Sequence, residues 1–435
     1  MLYDRWCRIA RAHSSRLALF EVVGERRWTF AELFAAAQGG PEPGDPIAFP
    51  QGISADFIIS VLRAWRSSRV VCPLESGQRR PETAGIALPA GIVHLKMTSA
   101  TTGTARLVAF TSSQLMADAE NIVQSMGLRP DWPNLGVISL GHSYGFSNLV
   151  LPLLLQGIPL ILVGSGLPEA LRSAAQTQKS ITLAAVPALW QTWHDAGAIP
   201  TNVRLAISAG APLSLVLERS VFAGQGLKIH NFYGSSECGG IAYDASEVPR
   251  GESSCAGSPL QNVRVSVAED GCIEVRGSAV AEMYWPEPAL ELGSGVFHTN
   301  DLGQMCNGLL HLRGRSGDQI NVAGRKVLPE TIETVLANHP QVRACLAFGV
   351  PSNDTQRGET IVACVAGGSA EMSESLRQFA LTNLPAWQVP REWWFVETLE
   401  ANGRGKLSRA EWRRRYLEAA RGDSPLKVNS PRSTG

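Results

Sequence analysis

The sequence predicts an α/β protein. We expect a large N-terminal domain of layered sheets and helices, which includes a small barrel-like subdomain, and then a small, mobile C-terminal α+β domain. The chain has 435 residues, which exceeds the usual size of one hydrophobic core and predicts more than one domain. Aliphatic strand patterns alternate with helical patterns up to about Gly251, and short strand patterns follow from there.

Helix and strand patterns alternate from the start of the chain. The segment TFAELFAAA, from Thr29, predicts an N-capped helix, and DFIISVLRAWRSS followed by RVVCPL predicts a helix and then a buried strand. The longest apolar stretch begins at Asn148 and is interrupted by Pro152, Gly157 and Pro159. These interruptions favour a buried helix, a turn at Gly157 and a core strand over a membrane span.

The pattern changes twice in the second half of the chain. NVRVSVAEDGCIEVRG predicts two antiparallel strands joined by a tight turn at residues 269–271. Further on, a short strand pair, the helix PETIETVLANHP and the strands RACLAFGV and ETIVACVAG predict a small α+β domain. We therefore place the large domain at residues 1–316, the small domain at 317–420 and a disordered, Ser/Pro-rich tail at 421–435.

Charge and cysteine usage exclude several classes of function. Lysine plus arginine equals aspartate plus glutamate, at 39 each, so no overall charge favours nucleic acid or an anionic membrane. The eight cysteines form no CxxC pair and no Cys/His cluster, which argues against zinc and against a disulfide framework. The N-terminal segment lacks the apolar core of a signal peptide. We expect a cytoplasmic protein with reduced thiols, no membrane span and no nucleic-acid partner.

The segment TSATTGTAR, from Thr98 to Arg106, combines five hydroxyls, a glycine and a cation between two strand patterns. Backbone N–H groups and hydroxyls can surround an oxyanion, and Arg106 can supply positive charge, so the composition predicts a phosphate site. The GK[ST] ending of a Walker A loop is missing. On these residues alone, an ordinary surface loop is the alternative.

A second segment, NFYGSSE, runs from Asn231 to Glu237 after the strand pattern LKIH. Tyr233 can stack on a base, Ser236 offers a hydroxyl, and Glu237 offers a hard oxygen ligand for Mg²⁺. These are the contacts that Mg²⁺–ATP needs. The alternative is a hairpin turn that exposes an acid.

In this order, the two segments resemble the signature motifs of the superfamily of acyl-CoA synthetases, peptide-synthetase adenylation domains and luciferases. The chain is most similar to the stand-alone acyl- or aryl-acid ligases of that superfamily. Three further segments extend the resemblance: FHTND to its RTGD motif, GRSGDQINVAGRKVLPETIE to its interdomain hinge, and NGRGKLSR to its C-terminal catalytic loop. The departures from the family motifs are Ala100, Ala105, Arg106, Asn300 and Gly317.

The resemblance implies ATP-dependent activation of a carboxylic acid, with an aryl or fatty acid favoured, to an acyl-AMP. The acyl group would then pass to the thiol of coenzyme A or of a separate acyl carrier protein, with ATP and Mg²⁺ as cofactors. The implied catalytic residues are Lys406, Glu237, Ser236 and Thr101, with Glu237 as the metal ligand and Gly317 as the hinge. The implied contacts to ATP or AMP come from Thr98, Ser99, Thr102, Gly103, Arg106, Ser208, Gly210, Asn231, Phe232, Tyr233, Gly234, Ser235, Asp301 and Arg315.

The resemblance also implies a pocket for the acid, lined by His142, Tyr144, Ala209, Cys238 and Gly239. The segment HSYGF has no carboxylate to pair with an α-ammonium group, so an amino-acid substrate is disfavoured. The histidine in it has two interpretations: a wall of the pocket, which we favour, or a loop histidine satisfied by the backbone.

The acceptor remains open between coenzyme A and a carrier protein, because the sequence given holds no carrier-protein module after Lys406. Two alternative functions also stand. One is an adenylating enzyme that transfers to an amine or another non-thiol nucleophile, and the other is a degenerate nucleotide-binding protein, suggested by the departures from the motifs. An active site is favoured by four charged residues that match the motifs: Glu237, Asp301, Arg315 and Lys406.

Overall fold

The computed structural model describes residues 1–40, 44–83, 85–98, 106–352, 358–400 and 407–421. The chain divides into two units. The large unit consists of Met1–Ala268, Ile273–Thr299 and Met305–His311; the small unit consists of Glu269–Cys272, Asn300–Gln304 and Leu312–Gly435. The predicted class is confirmed: a mixed α/β protein with a large N-terminal domain and a smaller C-terminal domain. The boundary between residues 316 and 317 stays a prediction, and residues 422–435 of the predicted tail lie outside the described residues.

The helices are α1 (Leu2–Ala12), α2 (Phe30–Gln38), α3 (Ala55–Arg66), α4 (Ser112–Met126), α5 (Ser143–Gly145), α6 (Leu151–Gln156), α7 (Pro168–Gln176), α8 (Pro187–Asp195), α9 (Leu215–Gln225), α10 (Pro329–Leu336), α11 (Ser373–Asn383) and α12 (Arg409–Arg421). A π-helical turn over Phe146–Val150 joins α5 to α6, and short 3₁₀ turns cover Ser316–Asp318, Ala370–Met372 and Ala386–Gln388. Among the described residues, no helix has the length and apolar character needed to cross a membrane.

The strands of the first half are β1 (Leu17–Glu21), β2 (Arg26–Thr29), β3 (Ile47–Ala48), β4 (Val70–Val71), β5 (Ile92–Met97), β6 (Leu107–Thr111), β7 (Asn134–Gly136), β8 (Leu160–Leu162), β9 (Ile181–Ala185), β10 (Val203–Ser208), β11 (Ile229–Ser235) and β12 (Gly239–Tyr243). Those of the second half are β13 (Cys255–Pro259), β14 (Val263–Val267), β15 (Cys272–Gly277), β16 (Met283–Trp285), β17 (Leu292–Gly293), β18 (Val296–Cys306), β19 (Leu309–Arg315), β20 (Ile320–Val322), β21 (Arg325–Val327), β22 (Ala344–Pro351), β23 (Glu359–Ala366) and β24 (Glu392–Val396).

Two sheets organise the large unit. The larger one includes the run β13-β12-β11-β10-β9-β7-β8-β1-β2, in which the strands from β11 to β1 are parallel. The other has the order β16-β6-β5-β4-β3. The predicted antiparallel pair after Gly251 is confirmed as β14 and β15, paired from Val263↔Gly277 to Val267↔Ile273. Parallel strands collect their carboxyl ends at one sheet edge, which is where ligands bind in α/β folds.

Local sequence signals explain where several helices begin and end. Thr29 caps α2: its hydroxyl accepts from the backbone of Glu32, whose carboxylate accepts from the backbone of Thr29 at 2.7 Å. The apolar stretch from Asn148 forms the π-helical turn and α6, ends at Gly157 with a left-handed φ of 71°, and continues into β8. Both predictions are therefore confirmed.

The small unit packs helices on both faces of one sheet. Its strands are ordered β22-β23-β24, with β20 and β21 as a separate hairpin. Adjacent residues of β24 point to opposite faces, so Trp393 belongs to the apolar cluster that includes Ile332 and Leu376, while Trp394 packs against Trp412. The predicted strand pair, helix and two strands of this domain are all found.

Candidate active site

The phosphate segment begins and ends on two antiparallel strands. Met97, at the end of β5, pairs with Leu107 at the start of β6. Next to this pair, the N–H of Thr98 donates to the carbonyl of Arg106 at 2.8 Å, and the N–H of Arg106 donates to Oγ1 of Thr98 at 2.9 Å. The strands thus hold both ends of the segment together. The predicted contacts Ser99, Thr101, Thr102 and Gly103 lie outside the described residues.

Among the described residues, the guanidinium of Arg106 contacts Tyr284 and Glu291. Its Cζ lies 3.4 Å from the centroid of the Tyr284 ring, and Nη1 lies 2.9 Å from Oε1 of Glu291. Burial of Glu291 works to raise the pKa of that carboxyl, but the hydrogen bond and the positive charge of Arg106, together with a backbone hydrogen bond and the charge of His298, lower the pKa overall. Arg106 is therefore oriented on Tyr284 at the edge of the segment.

The second motif lies largely on a strand. We expected NFYGSSE to follow the strand LKIH, but β11 continues through the motif to Ser235, because residues 232–235 pair antiparallel with β12. A side chain at Gly234 would bring its Cβ within 2.5 Å of the carbonyl oxygen of Gly239, so this close pairing requires glycine. The motif is thus a hairpin with fixed geometry.

The motif's first residues face the interior. Asn231 is buried and donates from Nδ2 to the carbonyl of Cys255 at 3.2 Å, whereas Tyr233 is half-buried. Phe232 is buried, with its ring centroid 6.0 Å from that of Tyr144. Tyr233 is therefore the more accessible of the motif's two aromatic rings.

The end of the motif forms a tight turn around one hydroxyl. Oγ of Ser235 accepts from the N–H of Glu237 at 3.2 Å and from the N–H of Cys238 at 3.3 Å. The hydroxyl of Ser235 thus holds the turn, while Ser236 is half-buried beside it. The carbonyl of Glu237 accepts from the N–H of Ala281 at 2.8 Å.

The carboxylate of Glu237 accepts a hydrogen bond from a residue that the sequence did not indicate. The hydroxyl of Tyr284 donates to Oε1 of Glu237 at 3.0 Å. Burial, and then the negative charge of Glu237, raise the pKa of Tyr284, so its hydroxyl stays protonated and donates. Glu237 and Arg106, predicted from two different motifs, therefore contact the same tyrosine.

The predicted acid pocket draws on two further segments. Nδ1 of His142 accepts from the N–H of Tyr144 at 3.2 Å and so caps α5, which is the backbone-satisfied interpretation of this histidine. Tyr144 is buried, and burial raises the pKa of its phenol. Ala209 is buried and Gly210 is exposed, with a left-handed φ of 88°. The role of these residues as pocket walls stays a prediction.

Ser208 ends β10 beside the second motif. It pairs with Asn231 in the parallel register of β10 and β11, at the carboxyl edge of the large sheet. Its side chain is fully buried, and within the described ranges Oγ has no hydrogen-bond partner. A buried hydroxyl without a partner is uncommon, and Ser208 is one of the predicted contacts to ATP or AMP.

The segment after Glu237 contacts the buried carboxylate of Asp118. The N–H of Gly240 donates to Oδ1 of Asp118 at 3.2 Å, and a Cβ at Gly239 would lie 2.0 Å from the same oxygen. Oδ2 of Asp118 accepts from Ser147 at 2.6 Å and lies 3.5 Å from Nζ of Lys96. Any side chain at position 239 would therefore displace a charged group that is almost completely buried.

Two of the predicted contacts to ATP or AMP, Asp301 and Arg315, pair with each other in the small unit. Nε of Arg315, at the end of β19, donates to Oδ1 of Asp301 at 2.9 Å. Gly317 lies in a 3₁₀ turn, its φ is outside the left-handed region, and an added Cβ would meet no heavy atom within 4 Å. Lys406, the expected catalytic cation, lies outside the described residues.

Comparison with known proteins identifies the family. Residues 89–285 match the model for the AMP-binding enzyme, and residues 331–406 match the model for the AMP-binding enzyme C-terminal domain. A protein of Mycobacterium tuberculosis named "Probable 2-succinylbenzoate--CoA ligase" is 30% identical over 74% of this chain and 84% of its own length. The chain belongs to the adenylate-forming, AMP-binding enzyme family.

Two other proteins extend the comparison with this AMP-binding enzyme. "Fatty acid--[acyl-carrier-protein] ligase ScoC" of Streptomyces coeruleorubidus is 32% identical over 53% of this chain and 47% of its own length. The crystal structure of ATP-bound MatB from Rhodopseudomonas palustris superimposes with a TM-score of 0.84 at 21% identity, covering 96% of this chain and 99% of that one. The latter likeness supports the fold.

The sequence did not indicate three residues of this AMP-binding enzyme's site: Tyr284, Asp118 and Lys96. Tyr284 follows an apolar segment and pairs with Val108 of β6, so the pattern indicates only a strand. Asp118 lies in the middle of an amphipathic helix, α4, where an acid normally faces solvent. The one available signal was Lys96, a charge inside the apolar strand pattern IVHLKM.

Proposed function

We propose that this protein is an ATP-dependent ligase that converts a carboxylic acid to its acyl-AMP and then transfers the acyl group to a thiol. The observation that carries the proposal is the convergence of Glu237 and Arg106 on Tyr284. One motif supplies a carboxylate suited to Mg²⁺, and the other supplies a cation suited to phosphate. The similar proteins named as ligases for coenzyme A and for acyl carrier protein support the same activity.

The residues fit the needs of adenylation. The carboxylate of the substrate attacks the α-phosphorus of ATP, a new C–O–P linkage forms, and pyrophosphate leaves with the electron pair of the broken P–O bond. Glu237 would hold Mg²⁺, which in proteins is usually bound by one or two carboxylates together with phosphate oxygens and water. When bound, Mg²⁺ supplies positive charge to the phosphates.

We assign the remaining roles by motif. Lys406 stabilises the negative charge that develops on the α-phosphate, assisted by the hydroxyls of Thr101 and Ser236. Asp301, held by Arg315, accepts from the ribose hydroxyls. After adenylation the small domain pivots at Gly317, which withdraws Lys406 and lets a thiol reach the acyl-AMP.

The substrate is an aryl or fatty acid in this proposal. The predicted pocket includes the buried ring of Tyr144, which packs near Phe232. An aromatic wall favours an apolar acyl group, and HSYGF offers no carboxylate for an ammonium group. The thiol acceptor is coenzyme A or a separate carrier protein.

The first experiment measures pyrophosphate release with Mg²⁺–ATP across aryl, fatty and amino acids, with hydroxylamine present to trap the adenylate. Release with an aryl or fatty acid and formation of the hydroxamate are expected. Thioester formation with coenzyme A or with a carrier protein bearing phosphopantetheine then identifies the acceptor. An amide as the sole product of a supplied amine would instead indicate a non-thiol acceptor, and ATP binding without pyrophosphate release would indicate a degenerate site.

A half-reaction test addresses Lys406. We expect Lys406→Ala to lower the adenylation rate at least about 100-fold, while thioester formation from a supplied acyl-AMP stays within about threefold of the wild type. Lys179→Ala, at an exposed position of the large unit, is the control and should change neither rate. Equal loss of both half-reactions would contradict the role assigned to Lys406.

A further inference from the structure

Tyr284, on β16, lies beside β6 and beside the turn that contains Glu237, all within the large unit. Its strand, β16, pairs antiparallel with β6, which begins directly after the phosphate segment. The N–H of Glu282 donates to the carbonyl of Ala109 at 2.9 Å, and the N–H of Ala281 donates to the carbonyl of Glu237 at 2.8 Å. The backbone around Tyr284 is thus tied to both signature motifs, independently of its side chain.

The hydroxyl and the ring of Tyr284 contact different groups. The hydroxyl donates a hydrogen bond to Oε1 of Glu237, which restricts rotation of that carboxylate. The ring lies under the guanidinium of Arg106 at 3.4 Å from Cζ to the centroid. The side chain of Tyr284 is only 5% exposed, so its own hydroxyl and ring are largely shielded from water.

The ion pair of Arg106 with Glu291 is a weaker restraint than the ring. Both of these side chains are about two-fifths exposed, at 43% and 39%, so solvent screens the attraction between them. A stacked aromatic face also fixes the plane of a guanidinium, which a single exposed ion pair does not. Of these two contacts, the ring of Tyr284 therefore orients Arg106 more strongly than Glu291 does.

We propose that Tyr284 is a positioning residue that couples the two signature motifs: its hydroxyl orients Glu237 for Mg²⁺, and its ring orients Arg106 for phosphate. This inference rests on the proposed function for the identity of the ligand. The two roles reside in different parts of one side chain and can be separated by substitution. Tyr284→Phe removes the hydroxyl and keeps the ring, whereas Tyr284→Leu removes both.

The test measures ATP binding by calorimetry with and without Mg²⁺, together with the Mg²⁺ titration of pyrophosphate release. For Tyr284→Phe we expect the Mg²⁺ concentration at half-maximal rate to rise about 10-fold, because one hydrogen bond to a charged group is lost. ATP affinity without Mg²⁺ should stay within about twofold. For Tyr284→Leu we expect an additional loss of about three- to tenfold in ATP affinity without Mg²⁺.

Tyr416→Phe is a matched control, because Tyr416 is also buried and also donates to a carboxylate, that of Glu392 in the small unit. It should leave the Mg²⁺ dependence unchanged. An unaltered Mg²⁺ dependence in Tyr284→Phe, or an equal shift in Tyr416→Phe, would overturn the proposal. Because calorimetry reports Mg²⁺–ATP binding without turnover, it tests the coupling even if no acid in the panel is adenylated.

Discussion

The two units each contain a network of charged side chains, and the networks differ in balance and in depth. In the large unit, Lys228 donates to Glu218 and to Asp244, and Arg250 donates to Glu218 at 2.9 Å. Two cations thus meet two anions, with side-chain exposures of 0–7%. We call this the balanced network. It borders β11, the strand that carries NFYGSSE, because Lys228 directly precedes Ile229.

The small unit has one cation among three acids. Arg409, at the start of α12, lies 2.8–2.9 Å from carboxylate oxygens of Asp318, Glu330 and Glu333, and the four side chains are 18–29% exposed. We call this the surplus-acid network. Burial raises the pKa of Glu330, against the attraction of Arg409, and within the described ranges its Oε2 has no hydrogen-bond partner.

The difference in charge balance and exposure predicts how each network affects stability. Buried charges must be compensated. Removing one member of a balanced, buried network therefore leaves an opposite charge unpaired and destabilises the fold. A surplus carboxylate that water can reach takes up a proton instead, which makes the stability of that unit depend on pH. The surplus-acid network also joins Asp318, next to the predicted hinge, to Arg409, three residues beyond Lys406.

The largest expected effect comes from breaking the balanced network. Lys228→Met leaves Glu218 and Asp244 short of a cation, and we expect the free energy of unfolding to fall by about 3–5 kcal/mol. Denaturant melts together with hydrogen exchange of peptides from β11 measure it. Lys179→Met, at an exposed site, is the control. A loss below about 1 kcal/mol would show that the network is not structurally required.

Breaking the surplus-acid network should cost less. Arg409→Met leaves three acids unpaired, but water reaches them, so we expect a loss of about 2–3 kcal/mol in the small unit. Hydrogen exchange of β22, where the carbonyl of Ala347 accepts from Nε of Arg409 at 3.2 Å, reports this unit separately. Adding Glu330→Gln should recover part of the loss. A larger loss than that of Lys228→Met would reverse the comparison.

The large unit should lose stability on acidification, and His94 provides a test. Burial, and then the charge of Lys96, hold the pKa of His94 well below its ordinary 6.5. The unfolded chain then binds a proton that the folded chain does not, so stability is lost as pH falls below the ordinary pKa of 6.5. Between about pH 6.5 and 5.5 we expect a loss of about 1 kcal/mol that His94→Leu removes. An identical pH slope in the variant would contradict the prediction.

The small unit should respond with the opposite sign and a smaller amplitude. Because the pKa of Glu330 is raised on folding, the folded state holds its proton more tightly, and stability falls as pH rises above the ordinary pKa of 4.5. From about pH 5 to 7 we expect a loss of about 0.5–1 kcal/mol in the small unit. Glu330→Gln should reduce this slope, as measured by hydrogen exchange of β22; burial also raises the pKa of Glu333, which the variant retains. A steeper slope would exclude Glu330 as its source.

The sequence by itself determined the elements with strong local signals. The N-capped α2, the turn at Gly157, the β14–β15 pair and the strands on either side of TSATTGTAR were all predicted correctly. Each depends on residues close together in the chain, namely a cap, a left-handed glycine or an alternating pattern. The motifs also identified the family, because short segments carry phosphate and metal chemistry in a fixed order.

Only the tertiary structure decided which distant groups meet. Tyr284 contacts Glu237 across 47 positions, Gly240 donates to Asp118 across 122, and Arg409 reaches Asp318 across 91. No local pattern encodes such pairs, because an aromatic in a strand or an acid on a helix has the same local preference whatever lies opposite. The packing of the sheets and helices brings these side chains together, and burial then gives each contact its energetic weight.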